Sequence, residues 1–161
     1  MSRFGRAALV SVISLVVGCG GQETAEKPAL HVGHLFSDVA SGVGLDLPTI
    51  WTGRYRVADS MTTSTPGLER ELAFRFVRAD STLAAEPLIV VRVFKTAAWK
   101  SIPADAAAGL FGLVVASDNA RTVTVRAAAG NPLASGTADA LAYDSLMMIV
   151  LQRPLRASLR R

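Results

Sequence analysis

The chain holds one cysteine, in the stretch LVVGCGG from Leu15 to Gly21. A thiolate is a nucleophile and a soft metal ligand, but this one has no second cysteine with which to form a staple. No disulfide holds this fold. His31 and His34 stand at helical spacing with Asp38 four residues further on, side chains of the types that zinc or copper takes. A tight site needs three or four ligands, and this trio lacks a cysteine or a His-Glu-x-x-His frame, so surface histidines and no metal are expected. Arg92 interrupts the apolar run EPLIVVRVFK. Its guanidinium either reaches water from an edge position or points into a ligand groove. Trp51 and Trp99 would line such a groove for a sugar or a lipid, although aromatic residues beside strands are more often core anchors. Asp59, Glu69, Glu71, Asp80, Glu86, Asp118 and Asp144 are scattered at turns and strand ends, and no spacing brings two of them together as acid and base. A Gly-x-Ser-x-Gly elbow, a Walker loop and a dinucleotide fingerprint are absent. A Ser-His-Asp arrangement would have to use one of two histidines close to the front of the chain. No catalysis and no cofactor is therefore expected.

The segment before the cysteine explains it. Arg3 and Arg6 form a basic start, Ala7 to Val17 an apolar run, and Gly18 a small residue before a cleavage point, the anatomy of an export signal. Val16-Val17-Gly18-Cys19 resembles the bacterial lipobox: a branched aliphatic at minus three, a small residue at minus one and a cysteine. The resemblance implies that Cys19 becomes the first residue of the mature chain and carries a diacylglycerol thioether. In such lipoproteins the new amino group is often acylated too. Each buried methylene contributes about 0.8 kcal/mol, and two or three acyl chains make a lasting anchor where one does not. Gly20 and Gly21 replace the acidic second residue that retains such proteins at the inner membrane, which implies the periplasmic side of the outer membrane in a Gram-negative host.

Charge narrows the partners. Loss of Arg3 and Arg6 leaves 15 basic against 13 acidic residues, a net of +2. Without a basic stripe interleaved with aromatics, that lacks the footprint of nucleic-acid binding. Arg153, Arg156, Arg160 and Arg161 gather at the end with no acid among them, either a basic terminus or a patch for lipid phosphates.

Half of the 161 residues are apolar, enough for one domain once an export signal is removed. Residues 19–29, polar and aperiodic after the cysteine, read as a tether, and 30–161 as a single domain. The stretch ALHVGHLFSDVASGVG leads in as a short helix or strand. Ile50 to Val57 reads as a strand, bounded by Pro48 and the Gly42 and Gly44 turn residues. In ERELAFRFVRAD, Leu72, Phe74 and Phe76 alternate with Glu71, Ala73, Arg75 and Val77, the period of a half-buried strand. EPLIVVRVFK, apolar on both faces save Arg92, suits a central strand. TAAWKSIPADAAAG switches to helix formers that stop at Gly109. LFGLVVASD and RTVTVRAAA form a hairpin about an Asp-Asn turn. ADALAYDSLMMIVLQR is a helix, with Leu141, Ser145, Leu146 and Ile149 at helical spacing, and LRASLRR adds an edge strand.

The expected fold class is α+β: an antiparallel sheet of about five or six strands packed with two or three helices. Leu47, Pro48 and Trp51 and the order of elements resemble small PsbP-like envelope proteins. That resemblance implies a sheet between helix layers and a mostly non-catalytic, accessory role. The expectation is thus a membrane-anchored envelope protein that binds a small ligand or another envelope protein. An envelope hydrolase and a passive assembly component are the alternatives.

Overall fold

A computed structural model of the chain describes residues 34–60, 65–79, 84–153 and 155–160, all within one compact unit, His31–Arg161. The export signal, Cys19, the tether and His31 lie outside the described residues. Alternating β-branched and aromatic side chains build most of the fold as eight strands in two antiparallel sheets. Three helices complete the α+β architecture.

The larger sheet runs β3 (Tyr55–Asp59), β4 (Leu68–Val77), β5 (Ala84–Lys95), β7 (Arg121–Ala127), β6 (Leu113–Ser117). As expected, β5 is central, paired with β4 on one side and β7 on the other. Because side chains alternate, Leu72, Phe74, Ile89, Val91, Val93 and Val123 share one face and form the main core. Glu71, Ala73, Arg92, Phe94, Thr122 and Thr124 share the other. Four residues in a row, Glu71 to Phe74, are buried, so β4 is covered on both faces rather than half-buried. Arg92 is likewise no edge residue: it sits in the central strand, with a side chain 15% exposed.

The smaller sheet, β1 (His34–Asp38), β2 (Val43–Leu47) and β8 (Arg156–Leu159), supplies Val43, Leu45 and Leu47 to the main core. The strand expected over Ile50 to Val57 is instead a 3-10 turn, Thr49–Trp51, followed by β3. Pro48 opens the turn and its carbonyl accepts the Trp51 N–H at 2.9 Å. Gly53, at φ +73°, then reverses the chain, a conformation that costs glycine little.

A polar clasp joins the two sheets beside the core. The Asp38 carboxylate accepts the Ser41 hydroxyl at 2.5 Å, the Ser41 amide at 3.0 Å and Arg70 Nε at 3.3 Å. Arg70 also pairs with Asp59. Burial pushes the Asp38 carboxyl upward, but the Ser41 and Arg70 bonds outweigh it and hold it below its ordinary value. A carboxyl depressed in the folded state stabilises fully above its unfolded value of about 3.9 and loses that contribution as pH falls through the folded value. The stability difference between the protein and Asp38→Asn should therefore be constant from pH 7 to 5 and shrink below pH 4, measured by thermal melts across that range. A difference that grows on acidification would contradict the clasp.

The stretch 96–109, expected to be helical up to Gly109, is divided between two helices, α1 (Thr96–Lys100) and α2 (Ala104–Phe111), and the second runs past Gly109. Pro103 has no N–H to carry the first helix on, and its carbonyl starts the second by accepting Ala107 N–H at 2.8 Å. Gly112 ends α2 at φ +87°, where an added Cβ would stand 2.2 Å from the Val125 carbonyl oxygen. The close approach of α2 to the sheet thus requires glycine there. α3 (Ala138–Gln152) starts at Thr137, whose hydroxyl accepts the Ala140 N–H at 3.1 Å. It buries Ala140, Tyr143, Leu146, Met147 and Val150 on the main core, while Leu141 is 63% exposed. The face expected from Leu141, Leu146 and Ile149 is rotated, because large apolar residues stand on both sides of this helix and their spacing selects neither.

Candidate functional site: a buried polar row under α1 and α2

Chemistry concentrates on the second face of the larger sheet. Strand register sets Glu71 opposite Arg92, Arg92 opposite Thr124 and Thr124 opposite Val114, with the Ser60 amide bonded to the Glu71 carbonyl. One row therefore crosses β4, β5, β7 and β6 and reaches Ser60 just beyond the end of β3. Arg92 Nε donates to Glu71 Oε2 at 2.5 Å, and the Ser60 hydroxyl donates to Glu71 Oε1 at 2.8 Å. Both charges are largely out of water, at 15% and 9% side-chain exposure. The guanidinium lies over the Phe111 ring, 5.6 Å from its centroid, a cation–π placement that fixes its plane.

Two donors in this row have no partner among the described residues: Arg92 Nη1 and the Thr124 hydroxyl, both inaccessible to solvent. Buried polar groups are nearly always paired, and one left alone costs about 1–3 kcal/mol. The contrast with Thr122, the next residue on this face, is direct. Thr122 Oγ1 shares hydrogen bonds with Thr96 Oγ1 at 3.0 Å and Ser117 Oγ at 2.9 Å, and Thr96 donates onward to the Asp118 carbonyl. Thr124 repeats the side chain without the network. Glu86 Oε2 is the third unpaired buried atom, but the other oxygen of that carboxylate pairs with Arg78 and no second unpaired group joins it.

The cover over the row is aromatic. Phe94 meets Trp99 at 5.2 Å and Phe111 at 5.0 Å between ring centroids, and Trp99 meets Phe111 at 6.1 Å. The structure thus brings together two of the three residues proposed for a groove. Arg92 and Trp99 share a face, linked through Phe111, whereas Trp51 lies in the main core on the opposite side of the sheet. Trp51 is fully buried, packs on Phe74 and Tyr55, and donates its indole N–H to the Leu146 carbonyl at 3.3 Å. It anchors the core.

The histidine cluster comes apart. His34 begins a strand rather than a helix, so Asp38 lies about 13 Å along the chain at roughly 3.3 Å per residue. His34 Nε2 shares a hydrogen bond with the Tyr55 hydroxyl at 2.6 Å and Nδ1 one with Thr52 at 3.3 Å. Burial pushes the Tyr55 phenol above its ordinary value, so near neutral pH it is an uncharged partner. Among the described residues, no three His, Cys, Asp or Glu are grouped to hold a metal ion.

Glu71 and Thr124 are the site residues that the sequence reading missed. The usable signal was Arg92 itself: an arginine inside an apolar central strand needs a buried counter-charge, and an acid on the polar side of the adjoining strand is the place to seek it. Comparison of the chain with protein-family models, curated proteins and solved structures finds no match.

Proposed function

We propose that the protein is a lipoprotein of the cell envelope, anchored through Cys19, whose domain is a non-catalytic binding module with Arg92 and Thr124 as its recognition groups. The observation that carries the binding role is the pair of unpartnered buried donors on one row of the sheet, beneath an aromatic cover. Donors held dry and unpaired stabilise whatever acceptor reaches them far more than donors in water do. The ion pair with Glu71 and the Phe111 ring hold the guanidinium in one orientation, which is what a recognition group needs. The anchor rests on the basic start, the apolar run and Val16-Val17-Gly18-Cys19. In a Gram-negative host, Gly20 and Gly21 favour the periplasmic side of the outer membrane.

Mass spectrometry of the mature N-terminus tests the anchor. The expected product begins at Cys19, bears diacylglycerol and sediments with membranes, and Cys19→Ala should remove both the lipid mass and the sedimentation. A native chain that starts elsewhere without lipid overturns the address. The binding role is tested separately, by ligand titration.

A further inference from the structure

We propose that the Arg92–Thr124 site, on the binding-module reading above, takes the carbonyl oxygen of an uncharged apolar molecule, an acyl ester or amide, in preference to an anion. Both unpaired groups, Arg92 Nη1 and the Thr124 hydroxyl, can donate, so the complementary atom is an acceptor. Arginine alone would suggest a carboxylate or phosphate. Here Glu71 already neutralises it through a direct bond at 2.5 Å, with both partners nearly buried. A second anion would place another negative charge beside the buried Glu71 carboxylate, with the Arg126 cation on the same face left exposed and bonded to the Leu110 carbonyl, the unfavourable case for a desolvated ion group. A carbonyl oxygen satisfies the same two donors and brings no charge.

The surroundings fix the rest of the molecule. Val114, directly opposite Thr124 in register and so on the same face, is 48% exposed, and Leu110 on α2 is 56% exposed. The row therefore passes from an ion pair, through two unsatisfied donors, to apolar side chains at the surface. A hydrocarbon chain lying over Val114 brings its carbonyl end toward Thr124, the next position of the row, and then Arg92, which Phe111 covers.

The test uses the purified full chain in dodecyl maltoside, a detergent without a carbonyl. Methyl laurate labelled with carbon-13 at its carbonyl is titrated by NMR, with dodecane, laurate at pH 8 and inorganic phosphate as comparisons. The ester should bind saturably with its carbonyl resonance moved downfield, laurate and phosphate should bind at least tenfold more weakly, and dodecane should leave the protein unperturbed. Thr124→Val, which keeps shape and removes a hydroxyl with no partner among the described residues, should fold and bind the ester about tenfold more weakly, the effect of one neutral hydrogen bond. Competition by vesicles of ester-linked but not ether-linked phosphatidylcholine assigns the carbonyl to membrane lipid, and competition by neither assigns it to a soluble ester. Tighter binding of laurate or phosphate than of the ester overturns the carbonyl class while leaving a binding module. No ester binding, with Thr124→Val only raising the melting temperature, overturns the site itself and leaves the Cys19 anchor to its own measurement.

Discussion

Arg92→Met is expected to lower the unfolding free energy by about 3–5 kcal/mol, the range found when one partner of a buried ion pair is removed. The substitution keeps the length and packing of the side chain against Phe111 but leaves Glu71 charged, nearly buried and supported by the Ser60 hydroxyl alone among the bonds described here. Its size comes from the abandoned charge, and the double variant Glu71→Leu with Arg92→Met should regain most of the loss. Replacing a whole buried pair by packed apolar side chains is often neutral or favourable. Urea unfolding measures both, the midpoint falling for the single variant at unchanged slope and returning for the double. If Arg92→Met costs under about 1 kcal/mol, the pair behaves as a solvated surface bridge and the buried row as described is wrong.

The second large effect belongs to Trp51→Ala, which should cost about 3–5 kcal/mol, as aromatic truncations in cores do. The indole is fully buried between the larger sheet and α3, edge-on to Phe74 and tilted against Tyr55, and its N–H holds the Leu146 carbonyl in the middle of α3. Truncation opens a cavity at the junction of three elements and removes that bond. Trp51→Phe should recover more than half of the loss, because the ring volume matters more than one hydrogen bond of about 1 kcal/mol. The same substitution should leave ester titration at Arg92 and Thr124 unchanged, since Trp51 is on the far face of the sheet.

Legibility in the sequence followed periodicity. β4 was readable as a strand because alternation specifies an extended chain, and β5 because a short run apolar on both faces suits a central one. The β6–β7 hairpin was readable from its turn chemistry, and Asp118 indeed accepts the Ala120 and Arg121 amides at 2.8 and 2.6 Å. The break at Pro103 and the turn at Pro48 were written in the chain, yet Pro48 also fits the boundary of a strand and Pro103 the first turn of a helix, so neither proline alone fixes its neighbours. The buried side of α3 was not readable, because a helix with large apolar residues on both sides takes its orientation from what it docks against. Within the site, Arg92 announced itself as a charge in an apolar run. Its partners did not, since strand register decides whether Glu71 and Thr124 meet it, and a shift of one residue would have turned both away. The division between Trp51 and Trp99 was hidden for the same reason: composition names aromatic residues without saying on which side of a sheet each one ends.

Leu45 pairs with Ala157 across almost the whole length of the domain, so the smaller sheet joins its first hairpin to its last strand. Such a closure is made late, because the chain between the partners must be gathered before the contact rewards it. During synthesis or export the smaller sheet remains a two-stranded ribbon, with Leu45 and Leu47 unprotected on one side, until β8, Arg156–Leu159, emerges. A ribosome or a translocation channel that still holds β8 thus delays folding, and the domain becomes protease-resistant only once that strand is free to pair.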